Sequence, residues 1–565
     1  MYSFKNLQLQ ITIPKIWKGK FSKILYNNHK IIIITILSAI SIYAFDHYLD
    51  NKLGLAYNDA RSHLDIGRRV VEGLKPGLAQ LGSVWLPLPH FLMTLTIWND
   101  YMWHSGLSGA MFSMLSYIIT GLIIYKFLEH LGVDLFSRII AIFVFATNLN
   151  ILYLQSTAMT ELLLLATMTI ASYELLTWGE KKNVLSLIKS AFWIMLSTLV
   201  RYDGWFLLIW CSGILALITF AENVHISNFI ENKKIKFKNL LIELKSAYKV
   251  TEGFMILFLT LSAFGIVLWF AWNLIIFKDP LYFILGPFSA KAQQDQLETA
   301  GVLQTKYNLW LSIKFYYYAL VYNSNAIFVI LGALGALSLW TDKTISKTVR
   351  ICSTALIAPL AFNILALYLG HSVLFIQGLS GDTWFNVRYG IMLMPSIAIF
   401  IGYLTYKIKN LRIMLFGLMI FITFFAFNGY DAVTIDDATV GSSQKNVSEV
   451  SGWLYKNAKD QDGFILISAA SHDAIIFSSG LPMKRFIHEG TGGYWDVATQ
   501  NPELWAKWII ARTYDDNDLT WKAIKDNPSM DKYQLVNHFP FADIYELKPE
   551  YQKELNTKPT LLNNK

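Results

Sequence analysis

The sequence predicts a polytopic α-helical membrane protein with a small C-terminal α/β domain outside the bilayer. Three observations carry that expectation. Of 565 residues, 54% are hydrophobic and only 16% are charged, whereas a soluble domain carries about 25% charged residues. Long apolar runs recur from residue 31 to residue 428, most of them close to the ~20 residues that a membrane-crossing helix needs. After residue 429 those runs stop, and charged residues and turn signals appear.

The predicted spans are 31–48, 107–128, 136–149, 154–177, 186–200, 204–221, 253–277, 324–340, 351–370, 389–406 and 411–428, eleven in all. The stretch 86–98 is apolar but short and broken by Pro87 and Pro89, so it reads as interfacial or re-entrant. The stretch 308–322, with Tyr316, Tyr317 and Tyr318, reads as a partial span or an aromatic interface helix. The basic region before the first run extends to Lys30, and no clear small-residue cleavage site follows. Ile31–Tyr48 is therefore expected to be retained as a span.

Lysine and arginine orient the spans. They cluster in the tail 1–30, at Lys181 and Lys182, in the loop 222–252, between Lys343 and Arg350, and at Lys407 and Lys409. With an odd number of spans and the tail inside, all of these fall in the cytoplasm. The segments 49–106, 150–153, 201–203, 278–323, 371–388 and everything beyond 429 then lie outside. The net charge of +8 reflects this pattern and is no sign of a nucleic-acid partner. Cys211 and Cys352 both lie in apolar runs and read as small core residues.

The chain divides into a basic cytoplasmic tail (1–30), a membrane domain with outer loops (31–428) and a soluble extracytoplasmic domain (429–565). In the last part, Phe464–Ser468 and Trp508–Ala511 read as buried strands, and Val447–Asn457 and Leu519–Asp526 as helices. A sheet of roughly three to five strands is expected there.

Ionisable residues gather at the outer boundaries. Tyr57 to Asp65 places Asp59, Arg61, His63 and Asp65 directly after the first span. Asp59 and His63 share one helix face, and Arg61 and Asp65 point elsewhere. A carboxylate so placed could take a proton from an acceptor hydroxyl, with His63 near a phosphate or a metal. The plainer reading is a solvated helix with ion pairs along it. Glu161 stands at the outer mouth of a strongly apolar run, where an ionisable group is costly. It could also simply favour the positive end of a helix capped by Thr157, one turn before it. Arg201, Tyr202 and Asp203 join two spans with almost no loop, and Arg388 and Tyr389 repeat the theme. A guanidinium there suits a phosphate; it equally suits a lipid headgroup. No glycine-rich phosphate loop, nucleophile elbow or HExxH is present.

Five segments in order resemble the GT-C glycosyltransferases that use lipid-phosphate sugars, in the branch of protein O-mannosyltransferases and the lipid A aminoarabinose transferase. They are Asp59-Ala60; Trp85 to His90; Asn148 to Gln155 with Met159-Thr160-Glu161; Arg201 to Trp205; and Lys278 to Phe283. The resemblance covers roughly residues 30–430. Protein O-mannosyltransferases typically carry Asp-Glu where this chain has Asp59-Ala60. The resemblance implies a GT-C-like fold and an inverting sugar transfer from a polyprenyl-phosphate donor to an unidentified lipid, glycan or protein acceptor. Under it Asp59 is the base and Glu161 a second carboxylate. Arg201 and Arg388 bind phosphate. Tyr202, Asp203 and Tyr389 line the substrate site beside them, and His63 assists. The leaving phosphate needs cations, either these arginines or a divalent metal. The rival class is a transporter or flippase of a lipid-linked or anionic substrate. That class would show two similar halves with paired broken helices, and no internal repeat is visible.

Orientation is directly testable. A cysteine introduced at Ser443 is expected to react with an impermeant thiol reagent in intact cells, and one at Asn232 is not. The reverse labelling would invert the topology.

Overall fold

The chain is described by a computed structural model covering residues 28–224, 230–231, 234–235, 237–286, 289–440 and 447–559. Residues 1–27 of the expected basic tail, Lys233 and Lys236, and the labelling positions Asn232 and Ser443 lie outside the described residues. Among those described, seven helices are long and apolar enough to cross a membrane: His29–Asp50, Leu107–His130, Glu161–Lys181, Asp203–Glu222, Lys347–Tyr368, Val387–Lys407 and Arg412–Val440. Three bent pairs raise the number to as many as ten, and Val184–Thr198 is a shorter apolar helix.

Two of the bends have clear local causes. Leu135–Ala146 and Leu149–Gln155 meet at 64°, where Thr147 closes the first helix and the Asn148 side chain accepts from the Ile151 amide at 2.9 Å to start the next. Leu309–Ser324 and Ala326–Thr341 meet at 107°. Asn325 sits between them at φ 70° and caps Ile327 at 3.0 Å. Asparagine tolerates the left-handed region and caps well, so one marks each of these two breaks. The stretch 308–322 is thus one arm of a bent pair, and the short run 136–149 is the longer arm of another.

Helices Ala326–Thr341 and Val387–Lys407 pack at close range because Gly335 has no side chain. A Cβ there would collide with the Phe400 carbonyl oxygen. Arg412–Gly429 lies at the periphery, with Met419 as its one buried residue. The buried centre of the bundle is built from residues such as Ile124, Ala141, Leu165, Ile194, Leu207 and Ile399.

Beyond the spans lies a five-stranded mixed sheet. Its strands are β1 (Phe464–Leu466), β2 (Phe486–Ile487), β3 (Ala506–Ala511), β4 (Tyr533–His538) and β5 (Asp543–Leu547), in the order β2-β1-β3-β5-β4. β1 runs parallel to both β2 and β3. β5 is antiparallel to β3, with Ile509 opposite Tyr545, and β4 is antiparallel to β5. All six residues of β3 are buried, the unbroken apolar pattern of a strand covered on both faces.

The carboxyl end of β1 faces the membrane part. Helix α1 (Asn58–Val71) packs against helix α2 (Ala469–Ser478), which follows β1. Arg69 pairs with Asp473 at 3.1 Å, and Arg61 Nη1 donates to Ser478 Oγ at 3.1 Å. Gln80 Nε2 donates to the Gly490 carbonyl at 2.6 Å. Asp65 is fully buried in the same seam.

Burial raises Asp473 to about 6, and Arg69 works against that rise. An unfolded aspartate titrates near ~3.9. Between those values the folded chain holds a proton that the unfolded chain has lost. This group's contribution to stability therefore falls as pH rises from about 4 to about 6, by at most about 3 kcal/mol. Melting in detergent across that window is expected to show the fall in the native chain and a flatter profile in Asp473→Asn. Equal slopes would remove Asp473 as the cause.

Candidate active site

Four chain segments place charged side chains at one end of the bundle, and a fifth closes over them. Tyr57 is extended at φ −67°, ψ 129°, and α1 begins at Asn58, so Asp59 stands in its first turn, where a negative charge suits the helix end. Ala60 and Leu64 are fully buried on the bundle side. Glu161 opens the helix Glu161–Lys181, with Thr160 at the N-cap. The expected cap at Thr157, one turn earlier, is not formed. Thr157 lies in the turn before it and donates to Leu154 O at 2.7 Å.

Arg201 sits in the break between Val184–Thr198 and Asp203–Glu222. Arg388 belongs to the 3₁₀ turn Val387–Leu393 that starts the next-to-last span. That turn is locked onto Leu309–Ser324: Asn323 Nδ2 donates to Val387 O at 2.7 Å, and Tyr316 OH to Tyr389 O at 3.2 Å. Gly390 permits the approach, since a Cβ there would strike the Ala319 carbonyl. The fifth segment, Val433–Val440, is tied down by Asn150 Oδ1, which accepts from Thr434 N at 3.0 Å and Thr434 Oγ1 at 2.8 Å.

These supports converge on Arg388. Its Nη2 donates to Asp59 Oδ2 at 2.6 Å and its Nε to Glu161 Oε1 at 3.1 Å. Its Nη1 lies 3.8 Å from Asp437 Oδ2. Glu161 Oε1 also accepts from Arg201 Nη1 at 3.2 Å, so one carboxylate oxygen bridges two guanidinium groups. Arg201 Nη1 further meets Thr160 Oγ1 at 3.2 Å, and its Nε meets Asp203 at 3.4 Å. The Tyr389 ring lies 5.3 Å from Arg201 and 5.5 Å from Arg388.

The cluster holds four carboxylates and two guanidinium groups. Its parts differ in access. The Asp59 side chain is 41% exposed, against 20% for Arg201, 8% for Arg388 and 0% for Glu161. Burial works against the charge on Arg201, but Glu161 and Asp203 more than offset it, so its pKa lies above the ordinary range. Arg388 is spent on three carboxylates. Arg201 keeps Nη2 free of any described bond.

The sequence-derived residues separate by helix face. Asp59 and His63 turn toward the cluster, and Arg201 and Arg388 both bear on the His63 ring. Arg61 and Asp65, on the other face, serve the seam with α2. Tyr202 is directed away. Its hydroxyl donates to Val84 O at 3.3 Å, and its ring stacks on Phe283 at 6.0 Å. Sequence reasoning did not name Asp437 and gave no site role to Tyr57 or His90, which it quoted only as ends of longer segments. Tyr57 OH donates to Asp437 Oδ2 at 3.0 Å, and His90 Nε2 lies 2.7 Å from His63 Nδ1. The one available signal for Asp437 was the acidic pair Asp436-Asp437 soon after the last apolar run. Among the described residues, no three His, Cys, Asp or Glu side chains are grouped to hold a metal ion.

No family model and no curated protein sequence matches the chain. Among solved structures it is similar to ArnT from Cupriavidus metallidurans bound to undecaprenyl phosphate. The TM-score is 0.51 at 9% identity, covering 92% of this chain and 98% of that one. ArnT of the same organism in the apo state scores 0.49 at 9% identity, covering 88% and 94%. The Archaeoglobus fulgidus oligosaccharyltransferase in complex with Zn and sulfate scores 0.43 at 12% identity, covering 91% and 73%. The first of these shows a common fold over nearly the full length of both chains, and the chain therefore has the GT-C fold.

Removing one partner from a buried charge cluster strands the others, typically at about 3–5 kcal/mol. Arg388→Gln is accordingly expected to lower the melting temperature in detergent far more than Glu161→Gln does. The double variant should recover part of that loss. Strict additivity of the two changes would show that the pair is not coupled.

Proposed function

We propose that this chain is a membrane glycosyltransferase that moves a sugar from a polyprenyl-phosphate donor to an extracytoplasmic acceptor, with inversion at the anomeric carbon. The observation that carries this reading is the bridged pair Arg201–Glu161–Arg388 with the more exposed Asp59 beside it. A GT-C fold shared with a protein solved with undecaprenyl phosphate supports a lipid-phosphate donor. The opposite end of the bundle is rich in paired cations, Lys30 and Arg138 on Glu129, Lys182 on Glu222 and Arg412 on Asp134. That distribution supports placing the site outside.

In this reading the acceptor hydroxyl attacks the anomeric carbon and Asp59 takes its proton. The bond from that carbon to the phosphate oxygen breaks, and its electron pair leaves with the lipid phosphate. Arg201, whose Nη2 is uncommitted, meets the growing charge on that phosphate. Arg388 holds Asp59 and Glu161 in place and is the lesser phosphate contact, because its own nitrogens are already engaged. Glu161 keeps the two guanidinium groups at a fixed spacing. Asp203 and Tyr389 steady Arg201, one by charge and one by ring contact.

The test uses purified protein in detergent with a synthetic polyprenyl-phosphate hexose series. Asp59→Asn is expected to lower transfer by about 10²–10⁴ while donor binding persists. Arg201→Lys keeps the charge but loses the planar fork, and should weaken donor binding more than Arg388→Lys does. Near-native transfer by Asp59→Asn would remove the base assignment. Energy-independent movement of lipid phosphate across vesicles, without transfer, would favour the flippase class.

A further inference from the structure

Beside the charge cluster stand two histidines in contact. His63 Nδ1 and His90 Nε2 are 2.7 Å apart, and the Trp85 ring lies 4.3 Å from His63. Both rings are buried, His63 at 5% exposure and His90 at 0%. A nitrogen pair at this distance shares one hydrogen, so one ring donates and the other accepts. The direction is decided at the far side of His90. Its Nδ1 is enclosed and makes no close bond, and the backbone of Leu86 is the group that favours a proton on this ring. A backbone carbonyl can only accept, so the hydrogen of a neutral His90 belongs on Nδ1. His90 Nε2 is then the acceptor, and His63 Nδ1 carries the shared hydrogen. That leaves a lone pair on His63 Nε2. Among the described residues nothing bonds this nitrogen, and the ring stands in the field of Arg201 and Arg388. Burial and those two cations hold His63 down to about 3, so it does not become a cation at physiological pH.

We infer that His90 sets the tautomer of His63, and that His63 Nε2 accepts a hydrogen bond from a hydroxyl of the donor sugar. The choice of sugar over phosphate follows from charge: a neutral lone pair repels a phosphate oxygen and accepts from a hydroxyl. Placement beside Arg201 follows the same logic, since a sugar bonded to a phosphate must lie next to the group that binds that phosphate. His63 is thus a substrate-binding residue, and His90 is a positioning residue acting through it. The hydroxyl assignment rests on the transferase reading; the tautomer does not.

The experiment is ¹⁵N-histidine NMR of the full chain in detergent, with the His63 signals identified by their loss in His63→Gln. The expected spectrum has His63 Nδ1 protonated and Nε2 unprotonated, unchanged between pH 5 and 8. His90→Phe should release this into a mixture of tautomers. His90→Gln, whose amide oxygen can still accept, should restore it. A protonated Nε2, or an imidazolium signal in that range, would overturn the assignment. Undecaprenyl phosphate and a panel of undecaprenyl-phosphate hexoses are then added, with binding measured separately. A hexose that fits should shift His63 Nε2, whereas undecaprenyl phosphate alone should leave it in place. That hexose should bind His90→Phe about twofold more weakly than the native chain, because only the fraction of His63 that keeps Nε2 unprotonated is competent. Lipids that bind but leave Nε2 unmoved, or an equal shift from the bare phosphate, would overturn the hydroxyl contact. Failure of every lipid phosphate to bind would instead reject the donor class, leaving the tautomer result standing.

Discussion

One guanidinium organises this protein. Arg388 reaches Asp59, Glu161 and Asp437, carboxylates 329, 227 and 49 residues away in sequence. Two of those partners are almost without access to water. A charge buried this deeply is tolerable only when its partners are in place. The five segments that supply or hold those partners must therefore arrive together. The close packing at Gly390, the Asn323 clamp on Val387 and the Asn150 clamp on Thr434 all serve that arrival.

The same cluster divides labour by exposure. Glu161 is enclosed and spends one oxygen on two arginines, which makes it a spacer. Asp437 is nearly enclosed and leans on Tyr57, which makes it a brace. Asp59 is the carboxylate that meets solvent, and Arg201 retains an uncommitted nitrogen. Enclosure thus separates the groups that hold the geometry from those left accessible, although all are of similar chemical type.

Helix α1 joins this cluster to the sheet domain. One face carries Asp59 and His63 toward the site. The other carries Arg61, Asp65 and Arg69 toward α2 and the loop after β2. The Arg69–Asp473 ion pair ties this helix to α2. The carboxyl ends of β1 and β2 commonly border a ligand crevice in α/β sheets; here α1 packs into that place.

Much of this was legible in the chain itself. The apolar runs, spaced by clustered Lys and Arg, determined a helical membrane protein, because bilayer thickness and backbone polarity leave few other solutions. Beyond 429, the expected strand Phe464–Ser468 covers β1 and runs two residues past its end, and Trp508–Ala511 falls inside β3. The ordered segments at 59, 85–90, 148–161, 201–205 and 278–283 pointed to the GT-C fold. Period-four spacing separated Asp59 and His63 from Arg61 and Asp65. Sequence alone did not reveal that Arg388 binds three carboxylates, that Asp437 is one of them, that Tyr202 turns away, or that His90 meets His63. Those facts depend on contacts between residues tens to hundreds of positions apart. Local propensity and spacing carry no information about such contacts, and only the packing of the helices decides them.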